Sequence, residues 1–201
     1  ERHEDLAPRC ATCHGGHDII SVSRRDAPQH RLNSLYLCGD CHAQHKEEPS
    51  GMDPKERVSA YLASTHAQAV TKAGLLWAAT CVDCHGAHSV HPASDPRSSV
   101  YRANVPDTCA KCHEGIKEIY ATSIHGKLMA EGDERAPVCT DCHTAHSITR
   151  ADTPAFMLDV INECGQCHDS ADRNGDRLGT YYKSYRSSYH GQVTQLGSTR
   201  A

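Results

Sequence analysis

Six copies of one five-residue motif, Cys-x-x-Cys-His, account for every cysteine of the chain. The 201-residue sequence contains twelve cysteines, and none lies outside a copy of the motif. The twelve are Cys10, Cys13, Cys38, Cys41, Cys81, Cys84, Cys109, Cys112, Cys139, Cys142, Cys164 and Cys167. The histidines that end the six copies are His14, His42, His85, His113, His143 and His168. A chain with this pattern must fold around whatever the six motifs bind.

The arrangement within each copy is the attachment signal for c-type haem. Two thiols three residues apart form thioether bonds to the porphyrin, and the adjacent histidine binds the iron axially. A Cys-x-x-Cys pair is also half of a tetrahedral zinc site, but neither zinc nor a disulfide requires a histidine directly after each second cysteine. We therefore predict six haem c groups, with the twelve cysteines as attachment residues and the six motif histidines as proximal iron ligands.

The composition agrees with a large apolar cofactor. Only 38% of the residues are hydrophobic, and the chain has a single Phe and a single Trp, so side chains alone supply little core. Six apolar macrocycles would supply the remainder. Connections rich in Pro and Ser predict a mostly irregular chain, in which short α-helices wrap around a stacked haem chain with little or no β-sheet. We expect residues 1–201 to form a single haem-organised domain.

Four motifs are followed by another histidine, three residues after the motif histidine. These +3 histidines are His17, His45, His88 and His146. Three residues of extended chain span at most about 10 Å, which does not easily reach around the porphyrin to the opposite face of the same iron. We predict that the +3 histidines are distal ligands of neighbouring haems; solvated histidines, or histidines bonded to haem propionates, are the alternative. His45 is the weaker candidate because it lies in a strongly charged stretch.

Three other histidines share the pattern Ser-x-His followed by Gly or Ala. They are His66, His125 and His190. Asp53 and Pro54 begin a predicted helix that runs through Val70 and places His66 on its apolar face. A lone histidine on such a face is usually a core residue, but three in matching sequence, among six irons that each need a sixth ligand, are predicted to be distal ligands. The remaining histidines match no pattern and are expected at the surface or beside propionates: His3, His30 and His91.

The motifs form an internal repeat of three di-haem units, at about residues 1–80, 81–138 and 139–201. Each unit contains a first motif, a second motif and a Ser-x-His segment, and we call the two motifs its first and second sites. Each Ser-x-His segment serves either its own second site or the first site of the next unit. In the latter case His190 binds a haem of another copy, which predicts head-to-tail association into a filament. The tyrosines before His190 fit such an interface or packing on the last haem.

Charge and hydropathy argue against two classes of partner. The formal net charge is -4 and no basic run is present, so no nucleic-acid partner is expected. No apolar run approaches membrane-spanning length, so no transmembrane segment is expected. The chain opens at Glu1 with neither an initiator methionine nor a signal peptide, which predicts a processed, soluble chain.

The repeated motifs, the +3 histidines and the Ser-x-His-Gly segments resemble the multihaem c-type cytochromes of bacteria and archaea, including the extracellular cytochrome filaments. The resemblance spans almost the whole chain. It implies closely spaced haems of low potential and attachment outside the cytoplasm. The expected function is electron transfer by hopping among six bis-histidine haems, with redox proteins or extracellular acceptors as partners. An extracellular or cell-surface location is favoured, and a periplasmic one is the alternative.

Two other functions remain open from the sequence. A multihaem oxidoreductase needs one iron with an open position; the related nitrite reductases often mark it with Lys in place of the proximal histidine, and no such motif occurs here. An electron-entry module of a larger complex would use its acidic surface to recognise a basic partner. Two further ligand sets are disfavoured: methionine ligation, because the three methionines recur at no fixed position, and a calcium loop at residues 172–176, where an ordinary turn is expected.

Overall fold

The computed structural model describes residues 8–44, 53–169 and 176–196. Within these ranges the chain is helical and contains no β-strand. The α-helices are α1 (Cys10–His14), α2 (Ser34–His42), α3 (Pro54–Ala63), α4 (Thr65–Thr71), α5 (Cys81–His85), α6 (Val105–Thr122), α7 (Ile124–Ala130), α8 (Cys139–His143), α9 (Pro154–His168), α10 (Asp176–Ser187) and α11 (Tyr189–Gln195). Short 3₁₀ helices lie at Arg31–Asn33 and Arg102–Asn104. The prediction of short helices with little or no β-sheet is confirmed for the described residues.

The chain divides into two compact units, residues 1–104 and 105–201. In the first unit, α2 packs against α3 and α5, and α3 packs against α4. Asp53 caps α3 by accepting a hydrogen bond from the Lys55 amide at 2.9 Å, and Pro54 occupies the first turn, as predicted. The predicted helix through Val70 is interrupted, however, because Ser64 ends α3 and begins α4.

In the second unit, α6 packs against α7 and α8, while α9 packs against α8, α10 and α11. α6 contains a break at His113, whose φ of -114° and ψ of 43° lie outside the helical region. Helix α9 begins with Thr153, whose hydroxyl accepts a hydrogen bond from the Phe156 amide at 3.2 Å, followed by Pro154 at the first helical position. These starts follow the usual preference for hydroxyl or acidic caps followed by proline.

The buried apolar residues are few and mostly small, and they form local clusters. They are Ala27, Leu35, Ala67 and Val70 in the first unit and Val105, Ala136, Val138, Phe156 and Ile161 in the second. Several of the largest apolar side chains lie at the surface instead, and Trp77 is 83% exposed. Such apolar surface is what a porphyrin would cover. The single domain organised by haems stays a prediction.

No helix in the described ranges combines the length and the apolar character needed to cross a membrane.

Candidate haem-attachment sites

The first site of each repeat is a single short helix. Helices α1, α5 and α8 each begin at the first cysteine of a motif and end at its histidine. Residues i, i+3 and i+4 share one face of a helix. Cys10, Cys13 and His14 therefore project from the same side of α1, and the matching residues do so in α5 and α8. Two thioether bonds and one axial bond to the same haem require that the three side chains lie on one side of the helix.

The third residue of each first-site motif caps its own helix. Thr12 Oγ1 accepts a hydrogen bond from the Arg9 amide at 3.1 Å. Asp83 Oδ2 accepts from the Thr80 amide at 2.6 Å and from the Thr80 hydroxyl at 2.8 Å. Asp141 Oδ2 accepts the equivalent amide at 2.7 Å. These bonds satisfy amides that a helix start leaves without a partner, so helices of only five residues are held in place.

A left-handed residue follows each first-site histidine and turns the chain away from the motif. Gly15 has φ 77° and Gly86 has φ 78°, both with extended ψ values of 169° and 177°. Thr144 adopts the same conformation, with φ 61° and ψ 171°, although this region strongly favours glycine. The chain therefore leaves the helix in a new direction before it reaches the +3 histidine, whose use by another haem stays a prediction.

The second sites lie on longer helices. Two of these motifs end α2 and α9, so that His42 and His168 are the last helical residues. The third lies inside α6, where the break at His113 ends the first helical run at the equivalent position. All twelve cysteines are free thiols, and each is exposed or half-buried, so the sulfur atoms are open to attachment. Within the described ranges, no group of three or more His, Cys, Asp or Glu side chains is arranged to hold a metal ion directly.

Two motif histidines have a second imidazole beside them. The ring centroids of His14 and His88 are 6.0 Å apart, and their planes differ by 9°. Those of His125 and His168 are 6.2 Å apart, and their planes differ by 40°. With metal–nitrogen bonds of about 2.0 Å and ring centres roughly 1 Å beyond each nitrogen, two imidazoles on opposite sides of one iron have centroids about 6 Å apart. Both pairs therefore fit the axial positions of a haem iron.

Each imidazole pair joins two different repeats. His88 belongs to the second repeat, yet it lies beside the proximal histidine of the first site of the first repeat. His125 also belongs to the second repeat, and it lies beside the proximal histidine of the second site of the third repeat. The sequence left two alternatives for the Ser-x-His histidines, the second site of their own repeat or the next first site. The structure places His125 instead beside the next second site.

The other predicted distal histidines differ in exposure. His17 and His190 are exposed, and His66 and His146 are half-buried. The weaker candidate His45, together with residues 172–175 of the calcium-type segment and residue 3, lies outside the described residues.

The two remaining described histidines make local contacts. His30 Nδ1 accepts a hydrogen bond from the Leu32 amide at 3.3 Å and caps a 3₁₀ helix. His91 Nδ1 lies 3.8 Å from the carboxylate of Asp95. Both residues are half-buried, and the expectation that they lie at the surface or beside haem propionates stays a prediction.

The Ser-x-His pattern is a helix–helix corner. Ser64, Ser123 and Ser188 each end one helix and cap the next, and their hydroxyls accept hydrogen bonds at 3.2, 3.1 and 3.2 Å from the amide three residues later. That later residue is Gly in two corners because the helices meet closely: a Cβ on Gly126 would lie 2.2 Å from the Tyr120 carbonyl oxygen. The histidine is thus the second residue of a capped helix, and the corner determines its position.

Tyrosines connect these corners to the attachment helices, and the sequence analysis did not identify them. The Tyr61 hydroxyl donates to the Ala79 carbonyl at 2.7 Å, and the Tyr120 hydroxyl donates to the Pro137 carbonyl at 2.9 Å. Each carbonyl lies two residues before a first-site cysteine. The recurrence of Tyr three residues before the serine in all three Ser-x-His segments was the signal that could have revealed them.

Burial keeps the anchoring hydroxyl protonated. It raises the pKa of Tyr61 above its ordinary value, and the neighbouring thiols and carboxylate raise it further. The hydroxyl therefore retains the proton that it donates.

A guanidinium group holds the start of α5. Arg31 donates to the carbonyls of Leu76 and Ala78, the latter at 2.8 Å, and to Asp83 Oδ2 at 2.8 Å. The ion pair is partly buried, with side-chain exposures of 26% for Arg31 and 35% for Asp83. Because one side chain contacts both the segment before α5 and the helix cap itself, it fixes this attachment helix against the 3₁₀ helix that precedes α2.

Cysteines of neighbouring motifs lie against each other. A hydrogen bond from the Cys81 thiol lowers the pKa of Cys38 to about 7 and raises that of Cys81. In the second unit, a hydrogen bond from Cys109 lowers the pKa of Cys139 to about 7. The second site of one repeat and the first site of the next are therefore adjacent at their attachment atoms.

Two motif histidines, His85 and His143, have pKa values that favour the neutral ring. Burial lowers the pKa of His85, and the nearby His42 lowers it further. Burial, followed by the effect of His113, does the same to His143. Iron ligation requires the neutral imidazole. The donor set, the exposed thiols and the imidazole spacing all fit covalently attached haem.

No protein-family model, curated protein or solved structure matches the chain.

Proposed function

We propose that this protein transfers electrons along six covalently attached haem c groups, each held by two histidines. The observation that carries the proposal is the spacing of the two imidazole pairs, 6.0 Å for His14 with His88 and 6.2 Å for His125 with His168. Each pair combines a motif histidine with a histidine that the sequence selected independently as a distal ligand.

Two imidazoles per iron favour electron transfer over catalysis. Haem supplies a one-electron couple, and a six-coordinate iron has no position open to substrate. The role of the chain is to hold both imidazoles in place in either oxidation state. His14 is held by a capped five-residue helix, and His125 by the Ser123 corner, so both rings are positioned by short, hydrogen-bonded elements.

The contacts between motifs support transfer from haem to haem. Cys38 and Cys81 are hydrogen-bonded, as are Cys109 and Cys139. In the loaded protein these four sulfur atoms carry porphyrin edges, so the chain holds the haem of one repeat close to the haem of the next. Transfer between such neighbours requires no movement of the protein.

The two imidazole pairs support a ligand register that can be extended from one chain to the next. We propose that a +3 histidine binds the first site of the preceding repeat, and that a Ser-x-His histidine binds the second site of the following repeat. Applied between copies, this register assigns His17 to the first site of the third repeat in a preceding copy. It assigns His190 to the second site of the first repeat in a following copy. Two iron–histidine bonds per junction would then join copies head to tail into a conducting filament.

This arrangement suits respiration outside the cytoplasmic membrane, at the cell surface or in the extracellular space, with the periplasm as the alternative. The haem-attachment motifs support this location, since cysteines with such motifs are used outside the cytoplasm in the cytochromes that the chain resembles. The partners are redox proteins or extracellular acceptors, and further copies of the chain itself.

The test uses the haem-loaded protein. Intact-mass measurement and the pyridine haemochrome spectrum are expected to give six haems per chain, and electron paramagnetic resonance is expected to give low-spin iron. A high-spin signal in the assembled resting protein would favour the oxidoreductase instead.

Electron microscopy is expected to show filaments that His17→Ala and His190→Ala abolish and that His91→Ala leaves intact. Dispersed particles that bind a basic redox partner, more weakly as salt rises, would favour the electron-entry module.

A further inference from the structure

A tyrosine precedes the serine in all three Ser-x-His corners, including the third. Tyr61, Tyr120 and Tyr185 each lie three residues before the corner serine. The first two donate to carbonyls that stand two residues before a first-site cysteine. The third corner is built in the same way, since the Ser188 amide and hydroxyl both donate to the Tyr185 carbonyl, at 3.0 and 2.6 Å.

Tyr185 differs from the other two in what its hydroxyl contacts. Its neighbour is the Thr194 hydroxyl at 3.4 Å, well beyond the 2.7–2.8 Å that is usual for such a bond. Thr194 already donates to the His190 carbonyl at 2.8 Å. The Tyr185 side chain is 38% exposed. Tyr185 thus occupies the same position as the other two tyrosines and is accessible, and its hydrogen bond to Thr194 within the chain is long.

The first attachment helix offers the matching acceptor. Pro8 lies two residues before Cys10, as Pro137 lies two residues before Cys139 and Ala79 two before Cys81. Pro8 is exposed. Helix α1 also has the same length and the same type of cap as α5 and α8. A Pro8 carbonyl can therefore occupy, in the third corner, the place that Ala79 and Pro137 take in the first two.

A second pair of residues, equivalent to Arg31 and Asp83, differs at the third corner and at the first attachment helix. Arg31, seven residues before Cys38, pairs with Asp83 at 2.8 Å. In the sequence, the position matching Arg31 is Arg102 in the second repeat and Met157 in the third, and the position matching Asp83 is Asp141 in the third repeat and Thr12 in the first.

The cationic and the anionic residue are replaced together, so the two surfaces stay complementary in charge. An unpaired charge at a contact is costly, and here the cation and the anion are both replaced by neutral side chains. Met157 and Thr12 therefore suit each other across a junction as the arginine and aspartate do within the chain.

We propose that the α10–α11 corner of one copy binds the α1 helix of a second copy, with Tyr185 donating to the Pro8 carbonyl and Met157 facing Thr12. The proposal rests on the head-to-tail association inferred above and adds the contacts that guide it. The interface reuses a junction already present twice between repeats, so its geometry is preformed on both partners.

The first experiment compares three identical changes in the haem-loaded chain: Tyr185→Phe, Tyr61→Phe and Tyr120→Phe. Each removes one hydroxyl and little else. Tyr185→Phe is expected to raise the concentration needed for half-maximal assembly by about two- to tenfold, the effect of one hydrogen bond, and to leave the thermal midpoint of the dispersed chain unchanged. Tyr61→Phe and Tyr120→Phe are expected to lower the thermal midpoint and to leave assembly unchanged.

The second experiment restores the charge pair across the junction. Thr12→Asp and Met157→Arg are each expected to weaken assembly by about tenfold, because each places an unpaired charge in the contact. The double variant is expected to recover most of the loss. Thr12→Asp keeps the helix cap, since aspartate fills that position in α5 and α8.

Sedimentation velocity measures assembly, and the visible and paramagnetic resonance spectra of the same samples report haem content and spin state. The spectra test the electron-transfer proposal, and the sedimentation tests the junction, so either can fail alone. Unchanged assembly of Tyr185→Phe overturns the proposal, as do additive losses in the double variant. Absence of assembly by the native chain, or binding of the corner to a further motif of a longer chain, also overturns it.

Discussion

Removal of His88 should alter the iron proposed at a motif 74 residues away in sequence, because the His88 imidazole lies beside that of His14. In the haem-loaded His88→Ala variant, one iron in six is expected to lose its sixth ligand. About one sixth of the haem absorbance should therefore change from low-spin to high-spin character. The affected haem should be the one attached at Cys10 and Cys13.

The same change should lower stability, because in the proposed ligation His14 and His88 would bind one iron and so cross-link the chain. The loop between them contains about 75 residues, and a cross-link of this length that persists in the unfolded chain contributes up to about 4 kcal/mol in the chain-entropy treatment. For a chain of this size, each kcal/mol shifts the thermal midpoint by about 2–4 °C, so a fall of up to about 16 °C is expected.

Added imidazole separates the two effects. Imidazole in solution is expected to restore the low-spin spectrum of His88→Ala by filling the open position, but not the thermal midpoint, since it does not reconnect the chain. His91→Ala is the matched control, because His91 lies three residues away and its imidazole lies 3.8 Å from the Asp95 carboxylate. An unchanged spectrum and midpoint in His88→Ala, or a spin change at the haem of Cys81 and Cys84, would refute the pairing.

Three further changes test the surrounding structure. Arg31→Leu removes donors from Asp83 and two carbonyls of a partly buried contact, and is expected to lower the free energy of unfolding by about 2 kcal/mol in chemical denaturation. Gly126→Ala brings a Cβ within 2.2 Å of the Tyr120 carbonyl oxygen, and should cost about 1–3 kcal/mol in the same assay. In the haem-free chain, oxidised glutathione should react at Cys38 at a rate that rises as the pH passes through its pKa of about 7, because the thiolate is the nucleophile.

The two substitutions have control variants that separate the stated cause from general loss of structure, and the thiol experiment has an outcome that would contradict it. Arg31→Lys keeps the positive charge but not the branched donor group, so it should recover only part of the loss. Gly115→Ala lies in the preceding helix, α6, with no atom within 4 Å of the new Cβ, and should be neutral or slightly stabilising. For the thiol, a rate that is flat from one unit below pH 7 to one unit above it would show that Cys38 ionises elsewhere in the pH range.

The sequence determined the local chemistry of this protein. A motif of five contiguous residues predicts where haem would be attached and which histidine would bind the iron, and helical geometry places both cysteines and the histidine on one face. The same locality made the start of α3 predictable from Asp53 and Pro54. It also made the candidate distal histidines recognisable from their spacing, before any tertiary structure was considered.

Only the tertiary structure decided which histidines lie together. The second axial position of an iron is filled from the opposite face of the porphyrin, by a residue distant in sequence, so spacing along the chain does not determine it. The structure pairs His88 with His14 and His125 with His168, across repeats and in opposite directions along the chain. It also divided the helix predicted through Val70 at Ser64, because the serine hydroxyl caps a new helix where a close crossing turns the chain. The pairing of the histidines and the corner at Ser64 both depend on packing between distant segments, which no local pattern encodes.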